Sequence, residues 1–405
     1  MTEIAELNSA TYPTISRKLL IGLSAGAGFS VASIYYNQPL VSVLAQTFHL
    51  NVNQVGLIPT LTQIGYALGI LLLVPLGDSV DRKKLIIAKS FMLALSLALC
   101  ALSHSFGSLL LISLGIGVLA TTAQDIVPAT AVLANPAQRG KTVGSVMTGL
   151  LLGILLSRVF SGVMGEYLGW RSVFVGSALL VALLGCYLCK VMPELKPESR
   201  LSYPQVMASL WPLWRNYPRL RQAALAQGAL SVAFSAFWSV LAIYLSDHYS
   251  LGSAAAGAFG LAGAAGAIAA PLAGARADRI GAPKVILVSI GIVILSFLGM
   301  SFALILPLHW QLLVLIICVI TFDFGLNATL ISHQSIIYSL HEHSRGRLNS
   351  LLFTCVFIAM ALGSSIGSYA YMHWHWIGVI VLALISSVIA LLIRFVKTDA
   401  SHAAL

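Results

Sequence analysis

The sequence predicts an all-α membrane protein: twelve transmembrane helices in two pseudo-symmetric six-helix halves, with both termini in the cytoplasm. Three observations predict it. Hydrophobic residues make up 58% of the 405 and charged residues only 9%, a balance far from that of soluble domains. Uncharged apolar runs of about 20 residues, the length that crosses a bilayer as a helix, recur along the whole chain. The charged turn Gly77-Asp78-Ser79-Val80-Asp81-Arg82-Lys83-Lys84 also has a second version, Gly274-Ala275-Arg276-Ala277-Asp278-Arg279-Ile280-Gly281. Gly274, Asp278 and Arg279 each stand 197 positions after Gly77, Asp81 and Arg82. An internal repeat at that offset marks two copies of one unit.

The polar stretch before Leu20 leads into an apolar run too long for a cleaved signal peptide, so it reads as an uncleaved first span. The first half, 1–192, then holds spans Leu19–Thr47, Val55–Leu76, Leu85–Leu102, Leu109–Leu133, Val143–Met164 and Val173–Val191. Pro193 opens a polar linker, 193–221, whose basic residues, prolines, Trp211 and Trp214 suit the inner membrane surface. The second half, 222–405, holds Ala223–Leu245, Ala254–Ala273, Val285–Leu306, Leu312–Ser332, Leu351–Tyr371 and Ile377–Val396. Asp81 and Asp278 stand just ahead of apolar runs, where an aspartate caps a helix and meets its positive dipole end. The leading glycines, Gly77 and Gly274, are expected to let helices approach across a tight turn.

Charge sets the orientation. Arginines and lysines fall in alternate connections: Arg17 and Lys18; Arg82, Lys83, Lys84 and Lys89; Arg139 and Lys141; the run from Lys190 to Arg221; Arg276, Arg279 and Lys284; Arg345 and Arg347; Arg394 and Lys397. Only Arg158 and Arg171 stand elsewhere, and so strong a bias places those connections inside. The same pattern accounts for the net charge of +10 without a nucleic-acid partner. All five cysteines lie in apolar runs, which argues against disulfides. Arg139-Gly140-Lys141-Thr142 ends like a phosphate loop, but Asn135 occupies the place of its first glycine. His341-Glu342-His343 lacks metalloprotease spacing. No cofactor, metal site or enzymatic activity is expected, and energy must come from a gradient.

Of the charges inside the predicted spans, Lys89, Lys190 and Arg394 lie within a few residues of the inner ends, whereas three lie deeper, and each of these costs about 2.5–3.5 kcal/mol on insertion scales. At 1.5 Å per residue, Asp125 lies about 12 Å and Arg158 about 22 Å from the inner end, and Asp323 about 16 Å from the outer end. Asp323 and Asp125 are the candidate proton-coupling sites. Arg158 either accepts an anionic substrate group or pairs with Asp125 to lock two helices. Tyr35, Tyr36, Asn37 and Gln38 precede Pro39, which loosens the first helix. With Gln63 and Gln124 in the first half and Gln227, Trp238 and Asn327 in the second, they outline a polar cavity between repeats. Gly149, Gly153, Ser157, Ser161 and Gly162 form a small-residue stripe, as do Gly257, Gly260, Gly263 and Gly266, and such stripes serve helix packing.

With these residues in view the chain resembles the major facilitator superfamily over all twelve spans. That family's loop motif, Gly-x-Leu-x-Asp-Arg-x-Gly-Arg-Lys, is matched by Gly77, Asp81 and Arg82. It is matched again by Gly274, Asp278, Arg279 and Gly281, whereas Lys84 replaces the second glycine in the first copy. The resemblance implies that these loops gate the cytoplasmic side. Gly149, Gly153 and Gly162 resemble the antiporter motif of drug:proton antiporters, with Ser157-Arg158 in place of its Gly-Pro. Ser113 stands where that branch carries an arginine, so that arginine's proton relay is not carried over. Tyr35–Leu40 is similar to a Tyr-x-x-Gln-Pro segment of bacterial exporters. The expected function is secondary active transport across the bacterial inner membrane, as proton-coupled efflux of a small organic molecule by a monomer. Proton-coupled uptake of an organic anion or sugar-like metabolite, or a transporter-like sensor, are the alternatives.

Overall fold

The computed structural model describes residues 15–135, 138–196, 202–263, 272–277, 279–341 and 344–396. Every regular element among the described residues is helical. Helix α1, Arg17–Ala32, starts on Ser16, whose hydroxyl accepts from the Leu19 amide at 3.2 Å. It does not run through to Thr47. Ser33, Ile34 and Tyr35 donate to carbonyls three residues back, and helix α2, Asn37–Phe48, then resumes. Pro39 is the cause, because it has no amide to give the Tyr35 carbonyl, which accepts from Gln38 instead at 3.2 Å.

Helix α3, Val52–Leu68, opens on a reciprocal Asn51–Gln54 capping box and continues through a wide turn, Gly69–Leu73, and a tight one, Pro75–Asp78. Helix α4, Arg82–Ala101, is capped as expected: Asp81 accepts from the Lys83 and Lys84 amides at 2.8 and 3.3 Å. Then come α5, Phe106–Ala120, α6, Thr122–Leu133, α7, Arg139–Tyr167, and α8, Trp170–Val191. The linker carries α9, Tyr203–Asn216. After it come α10, Pro218–Tyr249, α11, Ser253–Phe259, α12, Ala282–Ala303, α13, Leu308–Tyr338, and α14, Arg345–Phe395.

Counting α1 with α2, α3 with its terminal turns, and α5 with α6 as single stretches, ten among the described residues are long and apolar enough to cross a bilayer. The last of them, α14, breaks at His375, whose φ of 50° and ψ of −150° end one helix and begin another. That break falls between the two final predicted spans. The predicted span Ala254–Ala273 enters residues 264–271, which with Gly266 lie outside the described residues, as does Asp278.

The small-residue stripe of α7 packs as predicted. A Cβ on Gly28 of α1 would sit 2.6 Å from the Gly149 carbonyl oxygen, and one on Gly149 would sit 2.5 Å from that of Ser24. Backbone meets backbone here. The turn glycines behave differently from expectation: a Cβ on Gly77 meets nothing closer than 3.6 Å, and one on Gly274 nothing within 4 Å. Close approach is made elsewhere along the helices, and Gly274 itself lies within a helical segment, 272–277, and not in a turn. Gly281 does need to be glycine, since its φ of 89° is a conformation other residues avoid. Lys84, its counterpart in the first copy, lies inside α4 and needs no such freedom.

Lys89 corrects the charge map. It is not a loop residue but a buried member of α4, seven positions past its start. In the linker, Val206, Leu210 and Leu213 of α9 are buried while Trp211 is exposed. The Tyr203 hydroxyl donates to the Leu72 carbonyl at 2.9 Å, and Ser209 accepts from Arg347 at 2.7 Å. Helix α9 therefore touches both the end of α3 and the start of α14.

Candidate functional site

Arg158 of α7 is the centre of the site. It is 2% exposed, and its Nε donates to Gln38 Oε1 at 2.8 Å. The guanidinium carbon lies 4.7 Å from the Tyr35 ring centroid and 4.3 Å from that of Trp238, with Phe234 at 6.0 Å. Two aromatic rings therefore cover the cation within the usual range of cation–π attraction. The Pro39-induced turn makes this possible, because it brings Tyr35 and Gln38 together on Arg158. Tyr36 goes elsewhere: its ring packs on Phe160 and Phe174, at 6.0 and 6.5 Å. Tyr36 is thus separate from the charged centre with which the sequence grouped it.

Asp323 of α13, 3% exposed, faces the same space. A Cβ on Gly263 would fall 2.8 Å from Asp323 Oδ2 and 3.9 Å from Arg158 Nη1, and one on Gly260 would fall 2.7 Å from Arg158 Cβ. These two glycines, expected only to pack helices, let the backbone lie directly against both charged side chains. No ion pair within 4.0 Å joins Arg158 or Asp323 to an opposite charge among the described residues. Arg158 Nη2, Trp238 Nε1, Gln38 Nε2, Asn37 Oδ1 and Asp323 Oδ1 are all buried without a protein hydrogen-bond partner. Buried polar atoms are rarely left so, and each needs an account.

The other predicted polar residues each bond a neighbouring group. Asn37 Nδ2 donates to Thr62 at 3.0 Å, beside Gln38. Gln63 exchanges hydrogen bonds with Ser235 of α10 at 3.0 and 3.2 Å. Gln124 donates to the Tyr66 hydroxyl at 3.2 Å. Asn327 turns back on its own helix, donating to the Asp323 carbonyl at 2.9 Å. Gln227 is engaged with His333 Nδ1 at 2.9 Å and with the Leu326 carbonyl at 3.5 Å. His333 escaped the sequence reading because α13 continues past Ser332, where the predicted span ends. It is fully buried, and its Nε2 has no protein partner.

Asp125 is a clear correction. It does not pair with Arg158: its Oδ2 lies 2.5 Å from Lys89 Nζ, with both side chains buried. The two predicted carboxylates therefore stand in different settings. Asp125 is neutralised by a lysine, and Asp323 is the one left unpaired beside Arg158.

The two ends of the helical assembly differ. At the end carrying the C-terminus of α7, Glu166 Oε2 accepts from the Ala254 amide at 2.7 Å, and Ser253 donates to the Gly162 carbonyl at 2.9 Å. Nearby, Ser364 of α14 donates to the Gly56 carbonyl of α3 at 3.1 Å. At the arginine-rich end a cavity of about 280 Å³ opens between Asp78, Arg82 and Asp125 on one side and Tyr338, Arg347 and Phe353 on the other. Arg82 there bonds the Gly77 carbonyl at 2.9 Å and Asp78 at 2.7 Å, while Asp81 also faces the Leu195 amide at 3.5 Å. In the second copy residues 272–277 and Arg279 are helical and Gly281 follows them, while Asp278 lies outside the described residues.

Glu166 carries the charge in the contact between α7 and α11. A hydrogen bond to a charged group contributes about 1.5–3 kcal/mol, so Glu166→Ala should shift the population toward opening at that end. In a background without the five native cysteines, a Gln63→Cys reporter should react with an impermeant maleimide several-fold faster. An unchanged labelling rate would remove Glu166 from the seal.

Comparison with known proteins agrees with this architecture. The profile of the Major Facilitator Superfamily matches residues 23–338. The uncharacterized transporter YgaY of Escherichia coli O157:H7 is 36% identical over 367 residues, covering 90% of this chain and 92% of that protein. A probable transporter of Streptomyces coelicolor is 31% identical over 360 residues, covering 87% and 81%. Among solved structures, the nucleoside transporter NupG superposes with a TM-score of 0.74 at 14% identity, covering 93% and 98%. A bacterial homolog of the human lysosomal transporter Spinster, inward-facing and unoccupied, gives 0.71 at 16%, covering 93% and 94%. At those identities the structures speak for the fold alone. The profile match and the YgaY-like relatives go further, and they show that this chain belongs to the major facilitator superfamily.

Proposed function

We propose that this transporter exports a small organic molecule across the bacterial inner membrane in exchange for protons, by alternating access. Twelve spans with both termini in the cytoplasm, divided near residues 192 and 222, are the topology that the repeat and the charge bias support. On that topology the arginine-rich end is cytoplasmic, so a sealed outer end and a cavity at the inner end describe an inward-facing arrangement. The observation that carries the reading is the pair of buried, unpaired opposite charges. Arg158 comes from the first repeat and Asp323 from the second, so rocking of the repeats changes the access of both. Asp323 is the proposed proton site, and Arg158 the proposed contact for an anionic or acceptor group of the substrate. The glycine pattern of α7, similar to the antiporter motif, supports exchange over uptake.

The test has two stages. A thermal-shift screen of detergent-purified protein against drugs, sugars, amino acids and organic acids identifies a ligand, because ligand that binds only the folded state raises Tm. Counterflow of that ligand in proteoliposomes, with and without a pH gradient, is expected next. A gradient acid on the outside should drive the ligand outward. Gradient-driven movement inward would establish uptake instead, and binding without counterflow would make the protein a sensor.

A further inference from the structure

We propose that the substrate is a zwitterion, a small molecule with a carboxylate on Arg158 and a cationic amine on Asp323. The inference rests on the transport reading above and names the substrate class of that site. Two of the orphaned atoms are donors free for a ligand, Arg158 Nη2 and Gln38 Nε2, and two are acceptors, Asp323 Oδ1 and Asn37 Oδ1, while the Trp238 N–H is directed at the Asp323 carboxylate. One of the donors is cationic and one of the acceptors anionic, so the site is charge-balanced as a whole and yet neither charge is paired.

The geometry of Arg158 narrows what it can take. Its Nε is spent on Gln38, and its guanidinium carbon lies 4.7 and 4.3 Å from the ring centroids of Tyr35 and Trp238. What remains is the in-plane Nη edge, the part of a guanidinium that holds a carboxylate with two parallel hydrogen bonds. Gly263 lies against both charges, since a methyl group there would fall 2.8 Å from Asp323 Oδ2 and 3.9 Å from Arg158 Nη1, so the two side chains converge on one point between α7, α13 and the Gly260–Gly263 backbone.

Charge counting then separates the ligand classes. A lone organic anion would pair Arg158 and leave Asp323 either a buried carboxylate beside a second negative group or protonated, in which case anion and proton bind together and exchange is lost. A lone cation would pair Asp323 and leave the guanidinium buried without a counter-ion. An uncharged sugar would neutralise neither. A molecule with both charges satisfies each, and leaving a buried charge without its partner is the costly case. The amine of such a ligand also takes the place on Asp323 that a proton takes, so substrate and proton exclude one another there. That exclusion is what obligatory exchange requires.

The experiment titrates the intact protein in nanodiscs with the twenty standard amino acids and betaine, read by thermal shift and calorimetry. Each responder is set beside its two single-charge analogues, as leucine beside 4-methylpentanoate and 3-methylbutylamine. At least one zwitterion is expected to bind, with both analogues at least about a hundredfold weaker. In Asp323→Asn the zwitterion should fall to the level of its carboxylate analogue. Arg158→Lys, chosen because it keeps the charge and the fold, should bind the zwitterion roughly tenfold more weakly. Equal binding of a single-charge analogue, a preference intact in Asp323→Asn, or no response to any zwitterion overturns the assignment. A single-charge ligand that shows counterflow would overturn the zwitterion and leave transport standing. A zwitterion that binds without counterflow would do the reverse.

Discussion

Lys89→Met is expected to destabilise the protein by about 3–5 kcal/mol, the usual cost of leaving one member of a buried ion pair without the other. Lys89 is 3% exposed and its amine lies 2.5 Å from Asp125 Oδ2, so the substitution strands a carboxylate inside the first repeat. Asp125→Leu should strand the amine and cost a similar amount. The double variant Lys89→Met, Asp125→Leu removes both charges with little change of volume and should recover most of the loss. Thermal unfolding of the three proteins in one detergent checks this, and a single variant as stable as the parent would show that the pair does no structural work. The double variant also decides the candidacy of Asp125 as a second proton site. If it keeps pH-driven flux, coupling does not pass through Asp125.

Much of this molecule was legible in its sequence, and the residues that were not share a physical reason. Apolar runs bounded by charges located the helices, Pro39 announced the break in the first span, and Asp81 announced a capped helix start. Each of these is local chemistry, fixed within a few residues of the side chain concerned. Which way a side chain faces is not local. Lys89 follows Arg82, Lys83 and Lys84 closely enough to read as part of one solvated cluster, yet it lies on the buried side of α4. Tyr35 and Tyr36 are neighbours in sequence, but a turn with bonds three residues back sends one ring to Arg158 and the other to Phe160 and Phe174. Gly260 and Gly263 have the spacing of a packing stripe, and only the placement of α7 and α13 around them shows that they lie against two charges. His333 lay one position beyond the predicted end of its span, because helix length beyond the hydrocarbon layer leaves no hydropathy signal.

The setting of the site explains why Asp323 and not Asp125 is the bet for coupling. Asp125 has a lysine in contact and lines the cavity at the basic end. Asp323 has no ion-pair partner within 4.0 Å among the described residues, and its nearest opposite charge, Arg158, is contributed by the other repeat.

Asp323→Asn should therefore uncouple transport without preventing it. Asparagine has nearly the same shape and keeps an acceptor for the substrate, but it cannot carry a proton between the two faces of the membrane. In proteoliposomes, at substrate concentrations raised about a hundredfold to offset the lost hold on a cationic group, the variant should still exchange labelled for unlabelled substrate. It should show no net movement when a pH gradient is imposed, where the parent accumulates substrate. The parent's counterflow should change with pH, whereas that of the variant should be flat, since the titrating group has been removed. Expression and Tm close to those of the parent are expected, because a neutral amide replaces a buried charge that lacks a protein partner. Arg158 is the internal control: Arg158→Lys should lower exchange and driven flux together, as loss of substrate contact does, and leave their ratio unchanged. Accumulation against a gradient by Asp323→Asn at the parent's level would place the proton site elsewhere in the chain.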